Sequence, residues 1–462
     1  MVHHQTEGSS TTPAGDRSQL RRVAAASFIG SLVEWYDFFL YGIATALVFG
    51  PLFFPSSSDL ASTLSAFATF AVGFFARPVG GVVFGHIGDK VGRKSALVIT
   101  LLTMGTATFL VGVLPTAEQI GLWAPAALVL LRLFQGIAVG GEWGGATLLM
   151  FEHAPADRRG FFGSIPQTAS SAGLMLATGL LYLLDGALSE SAFLSWGWRV
   201  PFLMSVLLVA VGIFIRIRVP ESPEFENLKR EDALAKRPVI EAVGTQYTSI
   251  ARVIGMRITG NATGYLVSVF ALDYVTGDLG VASSVGLLAT MLAAAVQFVL
   301  TPLYGRLSDR VGRKPVYLFG ATFLVLFAYP FFMLVQTGNA VAVVVAFVIA
   351  YAVANGAMFA MEPSYFSELF GTRVRYSGIS LAYQFSAVIA GGLAPFIAAW
   401  LVAVNDGEPW LVAAYWLAIS VITLVATLMT PETRGVTTPP DAPRSADRAE
   451  TTTSSGSGVT TR

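Results

Sequence analysis

Twelve apolar stretches divide the chain. They lie near residues 23–51, 60–85, 96–114, 123–150, 163–185, 199–216, 252–276, 284–304, 316–336, 342–367, 378–404 and 410–430. At about 1.5 Å of rise per residue, a stretch of roughly 20 residues crosses the hydrocarbon layer of a membrane as a helix. None shows the alternation of a membrane barrel, and in lipid only helices or closed barrels satisfy their own backbone groups. The pattern therefore predicts an all-α integral membrane protein with twelve transmembrane helices. The first stretch is too long for a signal-peptide core and has no small-residue cleavage site, so it reads as an uncleaved helix.

The polar segments complete the layout. Residues 1–22 and 431–462 are rich in Ser, Thr and charge and read as disordered tails. Residues 219–250 carry ten charged side chains with Pro220, Pro223 and Pro238, and form a central loop between a six-helix half at 23–218 and a second at 251–430. Composition agrees with a lipid environment: 54% of residues are hydrophobic and 13% charged, against about a quarter charged in soluble chains. Zero net charge gives no basic field for nucleic acid. The absence of cysteine excludes disulfides and thiolate metal sites. His3, His4, His86 and His153 form no metal set, and no phosphate-cradling Walker sequence is present. No cofactor and no enzymatic chemistry are expected.

Charge placement sets the orientation. The connections at 51–59, 115–122, 186–197, 277–283, 337–341 and 405–410 contain no Lys or Arg, whereas the tails and the remaining connections hold 23 of the 29 basic residues. Basic residues stay inside, so both termini are placed in the cytoplasm. Helices 3, 6, 9 and 12 lack strongly polar residues within their spans and are expected to face lipid, leaving eight helices around a polar path.

The two halves are related in sequence. GHIGDKVGRK at 85–94 returns as GRLSDRVGRK at 305–314, 220 positions later, and Glu152, Arg158, Arg159 and Gly163 are echoed by Glu368, Arg373, Arg375 and Gly378. Repeated halves around a midplane site are characteristic of alternating-access transporters.

Several charges fall inside helices. Glu34 and Asp37 are three residues apart near the middle of helix 1, and Tyr41 continues their face. A charge at that depth costs roughly 2.5–3.5 kcal/mol, which implies a polar cavity, a basic partner or protonation. Arg132 in helix 4 lies at similar depth. Arg257, Asn261 and Tyr265 form one stripe on helix 7, where the arginine either clamps a carboxylate or snorkels to the inner headgroups. Gln135, Gln167, Gln297, Asn355, Tyr383 and Gln384 supply hydrogen-bonding groups on other path-lining helices. Arg77 precedes Pro78 and either bonds carbonyls freed by the proline or faces the cavity, the structural role being preferred. Glu142 and Glu362 are expected to pair with loop arginines.

These motifs, together with VEWYDFFLYG (33–42), FFARPVGG (74–81), RLFQGIAVGGEWGGA (132–146), WGWRVPF (196–202), PESPEF (220–225) and PET (431–433), make the chain resemble the major facilitator superfamily, in particular its metabolite:proton symporter family; WYDFFLYGIATALVF (35–49), RPVIEAV (237–243), VFALDY (269–274) and RYSGISLAYQ (375–384) resemble its shikimate-transporter branch. The resemblance implies a twelve-helix symporter in a bacterial cytoplasmic membrane. It would import a hydrophilic carboxylic acid such as shikimate with protons, by rocking two pseudo-symmetric halves. A zwitterion such as proline or betaine, or a sensor of the same fold, is the alternative. In related proton-coupled members the positions of Asp37 and Arg132 form a coupling pair, with Glu34 beside it. Asp89, Arg93, Asp309 and Arg313 would act as an inner gate. The expected partners are a small-molecule substrate, protons and the lipid bilayer, with the protein acting as a monomer.

Overall fold

The computed structural model describes residues 14–56, 58–91, 93–140, 150–151, 154–218, 238–371 and 375–435; within 14–23, 85–97, 215–218 and 238–242, and at Ala26 and Tyr376, it describes the backbone alone. The described residues are helical, with no strand among them. Twelve long helical runs follow one another: α1 (14–53), α2 (Asp59–Val91), α3 (Arg93–Val113), α4 (Trp123–Gly140), α5 (Arg159–Ala187), α6 (Arg199–Arg218), α7 (238–278), α8 (Ser283–Val311), α9 (Arg313–Val335), α10 (Ala340–Phe366), α11 (375–404) and α12 (Trp410–Met429). Nine of the described runs are individually long and apolar enough to cross a membrane, and α6 with the short helix before it makes a tenth, bent by 41°.

Two expected boundaries shift. Residues 14–22, expected in the tail, form the first turns of α1. Residues 238–250, expected in the central loop, are already helical and belong to α7. The apolar signal missed both because these turns project beyond the lipid, where polar residues are tolerated. The α7 extension breaks at Gln246 (φ −132°, ψ 29°), whose side-chain oxygen accepts the backbone N–H of Gly371 at 3.3 Å. The expectations for 1–13, 219–237 and 436–462 lie outside the described residues.

Helices α3, α6, α9 and α12 present apolar side chains outward, among them Leu102, Leu207, Leu326 and Ile422. The closest backbone approach joins α2 to α4. A Cβ added to Gly136 would lie 2.0 Å from the Gly73 carbonyl oxygen, and one on Gly140 would lie 2.0 Å from that of Arg77. In lipid, where hydrophobic burial does not drive helix association, small residues let backbones touch and gain dispersion contacts. The consequence is a fixed position for the α2 backbone at Arg77.

Wide, π-helical turns interrupt α1 at Thr45–Phe49, α7 at Leu266–Phe270 and Tyr274–Asp278, α10 at Glu362–Phe366 and α11 at Ala387–Gly392. Such turns shift the register of a helix and concentrate at functional sites.

Candidate functional site: a cavity between the halves

A small cavity sits where the two halves meet. Glu34, Trp35 and Phe38 of α1, Arg77 of α2, Val139 of α4, and Tyr383 and Gln384 of α11 line it. On the outer side Tyr265 of α7 packs against Phe38, Phe70 and Phe74, with ring centroids 5.8, 5.6 and 5.2 Å away. On the inner side the Gln384 amide donates to the Gly140 carbonyl at 3.0 Å. Both ends are thus bridged by contacts between the halves.

Asp37 is fully buried, and neither of its carboxylate oxygens accepts a hydrogen bond from a described group. Its polar neighbour is Thr108 of α3. That hydroxyl already donates to the Met104 carbonyl at 3.0 Å and accepts from the Gln135 amide at 2.9 Å. Arg132 does not pair with Asp37 in this structure. Its guanidinium stands 4.3, 4.2 and 4.7 Å from the rings of Phe38, Tyr41 and Phe70, and donates to the Phe70 carbonyl (3.4 Å) and the Gln135 side-chain oxygen (3.3 Å). Sequence depth placed the two charges at the same level but not on facing surfaces; Phe38, Tyr41 and Phe70 take the arginine instead.

In the second half Arg257 is buried rather than snorkelling. Its Nε lies 3.2 Å from Glu362 Oε2, and its Nη1 donates to Ser386 Oγ at 3.0 Å and to the Tyr383 carbonyl at 3.3 Å. The expectation that Glu362 would pair with a loop arginine is therefore corrected: α10 carries Glu362 on its inward face, opposite α7. Asn261 donates to the same Ser386 hydroxyl at 3.2 Å. Gly260 lies beside this arrangement, and a Cβ there would be in ordinary contact with Asn355 Oδ1 at 3.4 Å and Glu362 Oε1 at 3.5 Å.

Other predicted residues tie the halves together. The Gln167 amide donates to the Phe359 carbonyl at 3.1 Å, and Gln297 accepts from Ser171 at 2.7 Å while donating to the Tyr351 carbonyl at 3.1 Å. At the inner end of α8, Asp309 accepts the backbone N–H groups of Gly160 and Phe161 at 2.8 and 2.9 Å. These are orphan donors at the positive end of α5. Arg313 lies 2.7 Å from Asp309 and 3.4 Å from Glu368. Glu432, beyond α12, accepts the first two N–H groups of α9, those of Arg313 and Lys314, both at 2.9 Å. Gly312, at φ +107°, permits that cap, since a Cβ would lie 2.5 Å from Glu432 Oε2. The side chains of Asp89 and Arg93, and Glu142, lie outside the described residues.

Of the residues expected to touch substrate, Tyr383 and Gln384 line the cavity; Glu34, expected beside the proton site, does so too. Sequence reasoning placed Arg77 in a structural role, yet it stands on the cavity wall. The signal available for it was its position, about two turns above the inner loop and next to Pro78 inside the helix.

Comparison with known proteins gives a consistent set of similarities. Residues 23–249 match the family described as "Sugar (and other) transporter", and residues 253–457 match "Major Facilitator Superfamily". A shikimate transporter of Escherichia coli (strain K12) is 42% identical over 414 residues, covering 89% of this chain and 94% of that protein. A proline/betaine transporter of the same organism is 34% identical, covering 90% and 85%. Among solved structures, the proton:xylose symporter XylE bound to 6-bromo-6-deoxy-D-glucose superposes with a TM-score of 0.70 at 18% identity, over 91% of this chain and 98% of that one. That last likeness concerns the fold alone.

Proposed function

Because the chain belongs to the major facilitator superfamily and is a multi-span membrane transporter, we propose that it is a proton symporter importing a small hydrophilic carboxylic acid of shikimate type. The observation that carries this reading is the balance of charge around the cavity. Among the described residues, three guanidiniums (Arg77, Arg132, Arg257) and three carboxyls (Glu34, Asp37, Glu362) border it or stand directly behind its lining. An ionised carboxyl without a donor in so dry a place is strongly disfavoured, and such a group neutralises itself by taking a proton. Asp37 is then the proton carrier. With it neutral, three positive charges face two negative ones, and a monoanion in the cavity restores balance.

Proton and anion therefore load together, since either alone leaves an uncompensated charge in low dielectric. When the halves rock and Arg132 turns toward Asp37, attraction to the cation favours loss of the proton. Tyr41, Gln135, Gln167, Arg257, Asn261, Tyr265, Gln297 and Asn355 shape and support the path, with Tyr383 and Gln384 at its wall. Asp89, Arg93, Asp309 and Arg313 hold the inner gate. The protein works as a monomer with both termini in the cytoplasm.

Glu34 on the cavity wall favours one second reading, transport of a zwitterion whose cationic group meets that carboxylate. Uptake into proteoliposomes decides between them. An inward proton gradient is expected to drive accumulation of shikimate above its external concentration. Accumulation of proline or betaine but not of shikimate would select the zwitterion.

A further inference from the structure

We propose that Arg77 is the anchor that binds the carboxylate of the transported molecule, an assignment that rests on the symport reading above. Three buried guanidiniums surround the cavity, and their surroundings separate them. Arg257 is held by Glu362, Ser386 and the Tyr383 carbonyl, so a ligand would first have to break a buried ion pair. Arg132 is enclosed by the rings of Phe38, Tyr41 and Phe70, gives hydrogen bonds to Phe70 and Gln135, and is not on the cavity wall.

Arg77 differs in its position on the cavity wall. It lines the cavity while only 3% exposed, and its Nε makes no hydrogen bond among the described residues. Its guanidinium stands 4.4 Å from the ring of Phe38 and 4.3 Å from that of Phe74. Such contacts hold a guanidinium in place through its face; its edge gives a hydrogen bond to the Tyr265 side chain and keeps the Nε–H for an acceptor such as a carboxylate. The backbone beneath it is pinned by the touching Gly140.

The opposite wall supplies the other half of the recognition. Gln384 uses its amide N–H on the Gly140 carbonyl, but its buried Oε1 has no donor among the described residues. An acceptor of that kind selects a hydroxyl. The ligand class is thus a hydroxylated carboxylic acid, with its carboxylate on Arg77 of the first half and a hydroxyl on Gln384 of the second. A molecule bound across both halves has different affinity for different arrangements of them, which is the condition for a ligand to bias rocking.

The test compares shikimate with its uncharged methyl ester on the purified full-length protein in nanodiscs, by calorimetric binding. The wild type is expected to prefer the acid. Arg77→Gln is expected to weaken the acid on the order of tenfold to a hundredfold, the scale of a hydrogen bond to a charged group, while holding the ester as before. Gly186→Ala, whose Cβ would meet nothing within 4 Å, should keep the wild-type preference. An Arg77→Gln protein with the wild-type acid-to-ester ratio overturns the assignment. Should Arg77→Gln not bind the ester, Arg77→Lys decides. It keeps the charge without the fork, and an unchanged ratio there is equally fatal. A wild type that binds neither molecule overturns the substrate reading itself, whereas acid binding with an unaltered ratio overturns the anchor alone.

Discussion

Arg257 and Glu362 face each other 3.2 Å apart in the interior of the second half, each no more than 2% exposed at the side chain. Their register has a counterpart in the first half. Asp37 lies 220 positions before Arg257 (257 − 37) and Gln135 lies 220 before Asn355 (355 − 135), the offset of the repeated loop motif. The halves thus carry opposite charges at corresponding points of α1 and α7. In one half the charge is neutralised by an internal partner; in the other it is not, and that half is where we place the mobile proton.

Removing one partner of the buried pair leaves the other stranded. Glu362→Gln or Arg257→Gln alone is expected to destabilise the protein by about 3–5 kcal/mol, and replacing both by apolar residues of similar size to recover most of that loss. Thermal unfolding of the four proteins in detergent checks this. Equal, additive losses would show that the pair does not act as a unit.

Asp37→Asn mimics the protonated carboxyl permanently. The variant is expected to bind and exchange substrate across the membrane, while losing accumulation driven by a proton gradient. Counterflow and gradient-driven uptake in parallel proteoliposomes separate the two activities.

The contact of α2 with α4 leaves no space at Gly140, where a Cβ would meet the Arg77 carbonyl oxygen at 2.0 Å. Gly140→Ala is expected to lower thermal stability and weaken ligand affinity at least several-fold, because relief of the clash moves the backbone of Arg77. Gly186→Ala, whose Cβ would meet nothing within 4 Å, is the matched control and should leave affinity unchanged.

At the inner seam, outside the membrane spans, burial lifts the Glu368 carboxyl above its ordinary value, against the opposing pull of Arg313 and a hydrogen bond from Thr433. A raised folded-state value means that the stabilising contribution is complete below the unfolded value of about 4.3. It is lost as pH rises through the folded value. Relative to Glu368→Gln, the wild type should lose stability as pH increases from that point. Parallel melting curves across pH test it, and a difference that stays flat contradicts it.

The fold was legible in the sequence because lipid imposes a one-dimensional constraint: a span must be long and apolar, and nine of the described runs, ten with the bent α6, obey it. Helix ends were not legible where α1 and α7 run on into water, since no apolar boundary marks residues 14–22 or 238–250. The same limit governs the site. Depth along a helix follows from residue number, and it places Asp37 and Arg132 near one level. Facing depends on how helices rotate against each other, and that is set by contacts such as Gly140 on Arg77 and Gly136 on Gly73, which have no local signature. For this reason sequence position alone does not identify Arg257 as the partner of Glu362, and it leaves Arg77 between bonding freed carbonyls and facing the cavity.

The central claim is that a proton travels with the substrate on Asp37. The most direct measurement is external pH in a weakly buffered suspension of proteoliposomes when shikimate is added with no initial pH gradient. The account predicts alkalinisation outside that follows shikimate entry and is absent with Asp37→Asn; shikimate entry without any movement of protons would contradict it.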